Sequence, residues 1–275
     1  MSFGDRLLGV FDDVGRLCVG IDPHEGLLTA WGLPVSAVGA RDFGLRVVEA
    51  ASGRAGIVKP QVAFYERFGS AGFAALEEVL AAARSAGLVV IGDVKRGEIG
   101  SSMAGYAAAW LTVGGPLEVD ALTLNPYLGV EDLHATFAVA SAADKGAFVL
   151  AATSNPAGAR VQSTRGTDGR TLARTVLDDV SAWNATTGDA LGPVGVVIGA
   201  TVDLATAGLA DVPRPLPVLA PGFGHQGART AEARQIYGNL SGGVIVSESR
   251  SLLLAGPDGI EHAIVERAAE VRGAL

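Results

Sequence analysis

The chain contains few of the residues that support disulfide bonds or metal sites. Its 275 residues include one cysteine and four histidines. Cys18 alone cannot form an internal disulfide, and the histidines at positions 24, 134, 225 and 262 lack the spacing of a metal-ligand cluster. We therefore expect a protein of the reducing cytoplasm without structural zinc.

The sequence also lacks a basic excess and a long hydrophobic run. The net charge of −8 at pH 7 argues against nucleic acid or an anionic membrane as a partner. The first residues, MSFGDRLLGVFDD, carry acids where a signal peptide has basic residues and a longer apolar run, so we expect no export signal. The longest uncharged stretches, such as residues 99–117, contain Ser, Gly and Pro and are typical of buried elements rather than of a membrane span.

The apolar residues that are present follow two alternating patterns. Hydrophobic residues make up 49% of the sequence, which is enough for a large core. Short runs rich in Val, Ile and Leu, typical of strands buried on both faces, occupy residues 17–21, 56–59, 88–93, 121–124, 147–152, 194–198, 217–220 and 243–246. Helical patterns follow them at residues 35–52, 71–86, 101–113, 131–142, 171–183, 203–210, 230–237 and 260–272.

This strand–helix alternation predicts a (β/α)8 barrel (a TIM barrel, in the α/β class) rather than an open doubly wound sheet. No linker divides the chain, so we expect one domain over residues 1–275. An amphipathic segment at residues 3–14 is predicted to form an extra N-terminal helix that closes the bottom of the barrel. The polar stretch at residues 155–170 is too long for a simple connection and is predicted to be a mobile cover over the active site.

Lysine is rare in this sequence. Only three of the 21 basic residues are lysines, at positions 59, 95 and 145, and the others are arginines. An ammonium group is a compact charge that can give up a proton, whereas a guanidinium is effectively always charged. Because Lys59 and Lys95 both lie at or just beyond the ends of predicted strands, we hypothesise that chemistry requires an amine there.

The densest group of charged residues is the segment DVKRGE at residues 93–98. The active site of a (β/α)8 barrel lies at the carboxyl ends of its strands, where Asp93 and Lys95 share one face of the third strand beside Lys59 on the second. Neighbouring carboxylates favour the ammonium form of Lys95, which suits proton donation to a carbanion rather than Schiff-base formation. The alternative is a salt bridge at the barrel mouth without a catalytic role.

The second signal is the glycine-rich turn GFGHQG at residues 222–227. It matches the pattern G-x-G-x-x-G, and Glu248 follows some 26 residues later, as an acid does in dinucleotide-binding sites. However, the turn follows the seventh strand, and the remaining residues are too few for a dinucleotide-binding sheet. A phosphate held by the turn, Gln226 and Arg250 fits a barrel better. The alternative is that the glycines serve only a tight turn.

Asp22, in the segment GIDP, is a further candidate because it follows the first strand. Its carboxylate is suited either to binding sugar hydroxyls or to capping the segment that comes next, and the sequence leaves both interpretations open. His225 belongs to the glycine-rich turn, and Cys18 lies inside the first strand, where a core position is expected.

Together these segments resemble the orotidine 5′-phosphate decarboxylase family. The resemblance extends from GIDP at residues 20–23, through DVKRGE, to VSESRS at residues 246–251, and LNPYLG at residues 124–129 is similar to the longer form of the family. It implies a carboxy-lyase that forms uridine monophosphate in pyrimidine biosynthesis. It also implies that no metal or organic cofactor takes part.

The resemblance implies a role for each candidate residue. Lys95 would protonate C6 of the pyrimidine, Asp93 would lie against the substrate carboxylate, and Lys59 would join the charged network to the ribose. Substrate would further be bound by Asp22 at the ribose, Ser154 at the pyrimidine amide edge, and Gln226 and Arg250 at the 5′-phosphate. Glu98 and Ser102 would reach into the site of a neighbouring subunit, which implies a homodimer.

Two residues depart from the family pattern, which has Asp at the position of Glu98 and Thr at that of Ser102. A longer acid can displace a reacting group by about 1 Å, which can cost on the order of 10²-fold in rate. These departures leave a catalytically silent nucleotide-binding barrel open as an alternative. A Mg²⁺-dependent sugar-phosphate aldolase or isomerase of similar barrel fold is a second alternative, although lysines beside the acids would repel the metal ion. Glu98 is also suited to the start of the helix predicted to follow it.

Overall fold

The computed structural model describes residues 1–212 and 214–275, and its centre is a closed barrel of eight parallel strands. The strands are β1 (Leu17–Ile21), β2 (Ile57–Pro60), β3 (Val89–Arg96), β4 (Ala121–Leu124), β5 (Gly146–Ala152), β6 (Val194–Ile198), β7 (Val218–Pro221) and β8 (Val244–Glu248). Each strand pairs with the next in the chain, and β8 pairs with β1. The predicted (β/α)8 barrel is therefore confirmed.

Helices surround the barrel or lie at its ends. They are α1 (Phe3–Asp13), α2 (Glu25–Ala30), α3 (Ala37–Ala51), α4 (Ala63–Glu66), α5 (Gly69–Ser85), α6 (Gly100–Leu111), α7 (His134–Ala142), α8 (Pro156–Gln162), α9 (Leu172–Asn184), α10 (Ala233–Tyr237), α11 (Arg250–Leu253) and α12 (Gly256–Ala274). Short 3-10 helices precede α7 and α10. Among the described residues, none of these helices combines the length and the apolar character needed to cross a membrane.

The strands are apolar throughout because both of their faces are buried. Inside the barrel, Cys18, Ile57, Phe148 and Ile245 belong to one apolar cluster. The intervening strand residues, such as Val19, belong to a second cluster formed with the surrounding helices. Since side chains alternate between the two faces of a strand, a continuous apolar run supplies both clusters at once.

Helix α1 closes the amino-terminal end of the barrel, as its amphipathic pattern predicts. Ser2 caps the helix by accepting the Asp5 backbone N–H at 3.2 Å. Phe3 and Leu7 are fully buried in the interior cluster, and the Phe3 ring contacts Phe148 edge-on with a centroid distance of 6.1 Å. Ligands can therefore enter the barrel only from the opposite, carboxyl-terminal end.

The helix predicted at residues 203–210 is wrong. Asp203 accepts the backbone N–H groups of Ala205 and Thr206 and so begins a turn, as a helix cap does. Gly208 then adopts a left-handed φ of +74°, and the chain leaves the helical conformation after a single turn. The described residues of the connection between β6 and β7 form turns and irregular segments and contain no helix.

The polar stretch at residues 155–170 is not a loop throughout, because it contains α8. This helix buries none of its residues against the barrel. Gln162 at its end exchanges two hydrogen bonds with Thr153, one with the backbone N–H at 2.9 Å and one with the hydroxyl at 2.8 Å. A side-chain tether thus holds the helix beside the end of β5, while its mobility stays a prediction.

The third lysine, Lys145, lies at the amino-terminal end of β5, away from the barrel mouth. Its amine is buried and donates to Glu118 Oε1 at 2.8 Å and to the Val119 carbonyl at 2.6 Å. Burial alone would raise the pKa of Glu118, but the hydrogen bonds from Lys145 and the Gly114 backbone, together with the charges of Lys145 and Arg84, outweigh it and hold the pKa below its usual range. Residues at this end of a (β/α)8 barrel serve stability.

We expect Lys145→Met to lower the free energy of unfolding by roughly 1–3 kcal/mol, since a buried carbonyl and a carboxylate lose their donor. Because the pKa of Glu118 is lowered in the folded state, this contribution is full above about pH 5 and declines as the pH falls below about 4. Urea unfolding at several pH values measures both effects.

A matched control is Arg170→Met, which removes an exposed arginine that pairs with Asp168 and Asp178. Exposed ion pairs are screened by water, so this change should leave the unfolding midpoint almost unaltered. Equal behaviour of the two variants would contradict the assignment of Lys145 as a buried structural lysine.

Candidate active site

A cavity of about 320 Å³ opens at the carboxyl-terminal mouth of the barrel. Six of the residues singled out from the sequence line it: Asp22, Lys59, Asp93, Lys95, Gln226 and Arg250. Ser154 lies at its edge, where the hydroxyl donates to Gln226 Oε1 at 2.9 Å. The structure therefore brings seven of the nine candidates together, from strand ends and loops that are far apart in the chain.

Glu98 and Ser102 are not among the residues that line this cavity. Ser102 is exposed on the first turn of α6, and Glu98 precedes that helix. The Glu98 carboxylate accepts the backbone N–H of Ile99 at 3.0 Å. Within one chain, these two residues belong to the outer surface beside the mouth.

A buried carboxylate lies between two ammonium groups at the floor of the cavity. Lys59 Nζ donates to Asp93 Oδ2 at 2.8 Å, and Lys95 Nζ donates to Asp93 Oδ1 at 2.5 Å. Gln61 adds a donor to Oδ2 at 2.9 Å. Lys59 and Asp93 come from the adjacent strands β2 and β3, so strand pairing brings the amine and the acid together.

The charges in this cluster stabilise one another. Burial alone would raise the pKa of Asp93, but the two lysine ammonium groups outweigh it and hold the pKa far below its usual range. Burial would likewise lower the pKa of Lys59, yet the Asp93 and Asp22 carboxylates raise it above its ordinary value. Asp93 is therefore ionised and Lys59 protonated throughout the neutral pH range.

Lys95 differs from Lys59 in its exposure and in its backbone. Its side chain is 46% exposed, against 9% for Lys59, so a bound molecule can reach the Lys95 amine. Lys95 also has a left-handed φ of +46°, at a point where the pairing of β3 with β4 shifts register. For a residue with a side chain this conformation costs roughly 1–2 kcal/mol. Such strain clusters at functional sites.

Asp22 does not cap the following helix. That position belongs to His24, whose Nδ1 accepts the Leu27 backbone N–H at 3.3 Å. Asp22 Oδ2 instead accepts the Ser249 hydroxyl at 2.5 Å, while Oδ1 is buried from solvent and has no hydrogen-bond partner among the described residues. Because buried polar atoms are normally paired, Oδ1 is suited to accepting a hydrogen bond from a bound molecule.

The glycine-rich turn lies on the other side of the cavity. Gly222, Gly224 and Gly227 have φ values of +114°, +64° and +102°, which residues with side chains rarely adopt. Gln226 and Arg250 line the cavity here, and Arg250 Nη1 lies 2.7 Å from His225 Nε2. A guanidinium and an amide beside a glycine turn form a suitable site for an anion.

Glu248 does not serve as the acid of a dinucleotide site. Its carboxylate accepts the Ser251 hydroxyl at 2.5 Å and the guanidinium of Arg267 in α12 at 2.5 Å. A Cβ at Gly224 would lie 2.7 Å from Glu248 Oε2, so the turn packs directly on this buried carboxylate. The segment that matches G-x-G-x-x-G is therefore a turn packed against the Glu248 carboxylate. It does not belong to a dinucleotide-binding sheet, because the sheet here is a closed barrel.

Sequence reasoning missed several polar residues of the cavity, of which Gln61 and Thr123 contact the carboxylate of Asp93. Gln61 lies two positions after Lys59, and this spacing alone places both side chains on one side of the strand end. Thr123 is the only polar residue of β4, and it is 1% exposed. A lone hydroxyl in a buried strand needs a hydrogen-bond partner, so Thr123 could have been predicted from the sequence to contact another polar residue.

Among the described residues, no three His, Cys, Asp or Glu side chains cluster in a way that could hold a metal ion. The carboxylate of Asp93 is already surrounded by amine and amide donors. The fold and the position of the cavity are those of a (β/α)8-barrel enzyme.

Comparison with known proteins identifies the family to which this enzyme belongs. Residues 15–261 match the sequence model of the orotidine 5′-phosphate decarboxylase / HUMPS family. The chain is 51% identical to the orotidine 5′-phosphate decarboxylase of Salinispora tropica over 94% of this chain and 91% of the relative. It is 46% identical to that of Corynebacterium glutamicum over 99% of both chains.

A crystal structure from Streptomyces avermitilis, of a protein assigned to the same activity, superposes with a TM-score of 0.94. It is 45% identical, and the match covers 99% of this chain and 95% of the other. The chain thus belongs to the orotidine 5′-phosphate decarboxylase / HUMPS family, and it is a carboxy-lyase. The resemblance seen in the sequence is confirmed.

Cys18 lies beneath the charged cluster, and we expect its thiol to be inert in the native protein. The side chain is fully buried, and burial raises its pKa to about 12. At pH 8 about one molecule in ten thousand would therefore carry a thiolate. A thiol reagent should label one group per chain in denaturant and none in the native protein. Rapid labelling of native protein would contradict this placement.

Proposed function

We propose that the protein converts orotidine 5′-phosphate to uridine 5′-phosphate and carbon dioxide without a metal or an organic cofactor. The observation that carries the proposal is the Lys95 ammonium, which is paired with a buried carboxylate and accessible from a cavity that also contains an anion site. The step belongs to pyrimidine biosynthesis, which we place in the cytoplasm. The thiol of Cys18 would remain reduced there.

The proposed reaction is a direct decarboxylation. The bond between C6 and the carboxylate breaks, carbon dioxide leaves, and the electron pair stays on C6. The Lys95 ammonium stabilises this charge and donates its proton to C6, and water then returns a proton to the amine. An organic electron sink is unnecessary because a positive charge lies next to the developing carbanion.

Asp93 and Lys59 hold the proton donor in place. Asp93 is ionised and buried, and its position beside the Lys95 amine would put it close to the departing carboxylate. Lys59 neutralises the far oxygen of Asp93 and keeps that carboxylate oriented. Loss of the substrate carboxylate as carbon dioxide would relieve the repulsion between the two negative groups.

The remaining candidates would orient the nucleotide. Asp22 Oδ1 is a free acceptor for a ribose hydroxyl. The Ser154 hydroxyl would contact the amide edge of the pyrimidine, and Gln226 and Arg250 would bind the 5′-phosphate. Binding energy from a distant phosphate can hold the loops closed and align the ring, so it contributes to kcat as well as to KM.

The central test is loss of orotate absorbance when pure protein is added to orotidine 5′-phosphate in excess EDTA. We expect full activity with the chelator, whereas a Mg²⁺-dependent aldolase or isomerase would not consume this substrate. A silent nucleotide-binding barrel would bind uridine 5′-phosphate and turn nothing over.

We expect Lys95→Ala to lower turnover by at least roughly 10³-fold, because proton donation and charge stabilisation are lost together. Binding of uridine 5′-phosphate, measured by calorimetry, should remain detectable. Decarboxylation near the wild-type rate in this variant would refute the assignment of Lys95 as the proton donor.

Arg250→Ala tests the phosphate site. Loss of charge-assisted hydrogen bonds to a dianion should lower kcat/KM for orotidine 5′-phosphate by roughly 10- to 100-fold. The rate with orotidine, which has no phosphate, should hardly change. Arg229→Ala is the matched control, because Arg229 is exposed near the same turn but pairs with Glu232 and is not among the cavity residues. An equal loss with both substrates would contradict the role of Arg250.

We further propose that the protein is a homodimer in which Glu98 and Ser102 complete the partner's site. Helix α6 buries Met103 and Trp110 against the barrel, yet its outer face is also apolar, with alanines and Tyr106 exposed. Ile99, just before the helix, is 53% exposed. A helix that is apolar on all sides is typical of one covered on all sides, and a second copy would cover this one.

Mixing two inactive variants tests action across the interface. In a dimer of Lys95→Ala with Glu98→Ala, one site carries both changes and the other carries neither. An equal mixture that exchanges subunits at random should therefore regain about one quarter of the wild-type activity. If Glu98 acts within its own chain, the mixture will stay as inactive as its components.

A further inference from the structure

Thr123 contacts both of the residues at the centre of the proposed mechanism. It lies in β4, its side chain is almost completely buried, and it faces the cavity. Its Oγ1 accepts the backbone N–H of Lys95 at 2.9 Å and donates to Asp93 Oδ1 at 3.0 Å. One hydroxyl therefore joins the main chain of the proton donor to the carboxylate that pairs with its amine.

The backbone of Lys95 requires such a partner. Pairing between β3 and β4 shifts register between Gly92 and Arg96, and Lys95 has its left-handed φ within that irregular stretch. In a regular sheet, a carbonyl of the neighbouring strand would accept this N–H. Here a side chain of the neighbouring strand accepts it, so the irregular backbone is held by the Thr123 hydroxyl.

The hydroxyl also completes the hydrogen bonding of Asp93. Oδ1 accepts from Lys95 Nζ and Thr123, and Oδ2 accepts from Lys59 Nζ and Gln61. An ionised carboxylate has about four acceptor positions, and all of them are used. The Thr123 hydroxyl accepts from the Lys95 backbone through a lone pair and gives its single proton to Asp93, so the carboxylate cannot turn without losing a bond.

We propose that Thr123 is a positioning residue that sets the Lys95 amine and the Asp93 carboxylate relative to C6 of the substrate. The proposal rests on the function proposed for Lys95. Thr123 acts through these two residues and is not itself assigned a contact with the nucleotide. Its loss should therefore affect the chemical step more than the binding of the nucleotide, which depends on the phosphate and ribose contacts.

The test compares Thr123→Val, which keeps the shape and loses the hydroxyl, with Thr123→Ser, which keeps the hydroxyl. We expect Thr123→Val to lower kcat by roughly 10- to 100-fold, since displacements of about 1 Å have effects of this size. KM and the Kd of uridine 5′-phosphate should stay within about twofold of wild type. Thr123→Ser should recover kcat to within a few-fold.

A second threonine provides a matched control. Thr136 in α7 is also buried, at 2% exposure, and lies outside the cavity. Thr136→Val removes a buried hydroxyl from the same protein and should leave kcat unchanged. Thermal unfolding of all three variants shows whether each retains its fold.

The outcomes separate the inference from the proposed function. An inactive wild-type protein would overturn the proposed function and the inference together. With an active wild type, an unchanged kcat in Thr123→Val would overturn the inference alone. The same holds if kcat, nucleotide affinity and thermal stability fall together in Thr123→Val, or if Thr123→Ser does not recover turnover, since Thr123 would then have a merely structural role.

Discussion

The ionised carboxylate of Asp93 organises the mouth of this barrel. A buried charge is expensive unless it is paired and hydrogen-bonded, and Asp93 is surrounded by four donors from three strand ends. Each of these donors is in turn oriented by the carboxylate, so the cluster has one favourable arrangement. The cost of the charge is met by the pairing of β2 with β3 and of β3 with β4, because this pairing brings the three strand ends to the same point.

The amino-terminal end of the barrel contributes to stability, and the carboxyl-terminal end contains the residues of the proposed chemistry. At the amino-terminal end, α1 fills the interior with Phe3 and Leu7, and Lys145 forms a buried pair with Glu118. At the carboxyl-terminal end, Lys95 has a left-handed backbone, and one carboxylate oxygen of Asp22 has no hydrogen-bond partner in the part of the chain that the structure describes. Departures of this kind from local rules are typical of a place where a ligand is held.

The mouth is itself divided between rigid and adaptable parts. The charged cluster lies at the ends of strands, whose positions are set by ladder hydrogen bonds and packing. Among the proposed contacts to the pyrimidine and phosphate, Ser154 and Gln226 lie on loops that meet where Ser154 donates to Gln226, and Arg250 begins α11. Loops of this kind can move on binding while the reacting groups stay in place.

Periodicity and composition determined most of the architecture in advance. Continuous apolar runs located the strands to within a few residues because burial on both faces demands them, and the scarcity of lysine drew attention to Lys59 and Lys95. The order of the strands predicted a phosphate site at the glycine-rich turn and Arg250, because these segments follow the seventh and eighth strands. The helix expected at residues 203–210 failed because Gly208 ended it after one turn.

Tertiary structure alone decided the contacts between strands. Thr123 contacts residues 28 and 30 positions away, at an irregular pairing that no period predicts. It also placed Glu98 and Ser102 on the outer surface, whereas Lys95, from the same segment, faces the cavity. Local sequence encodes which residues lie at the end of a strand, but the register and closure of the whole barrel determine which of those ends meet.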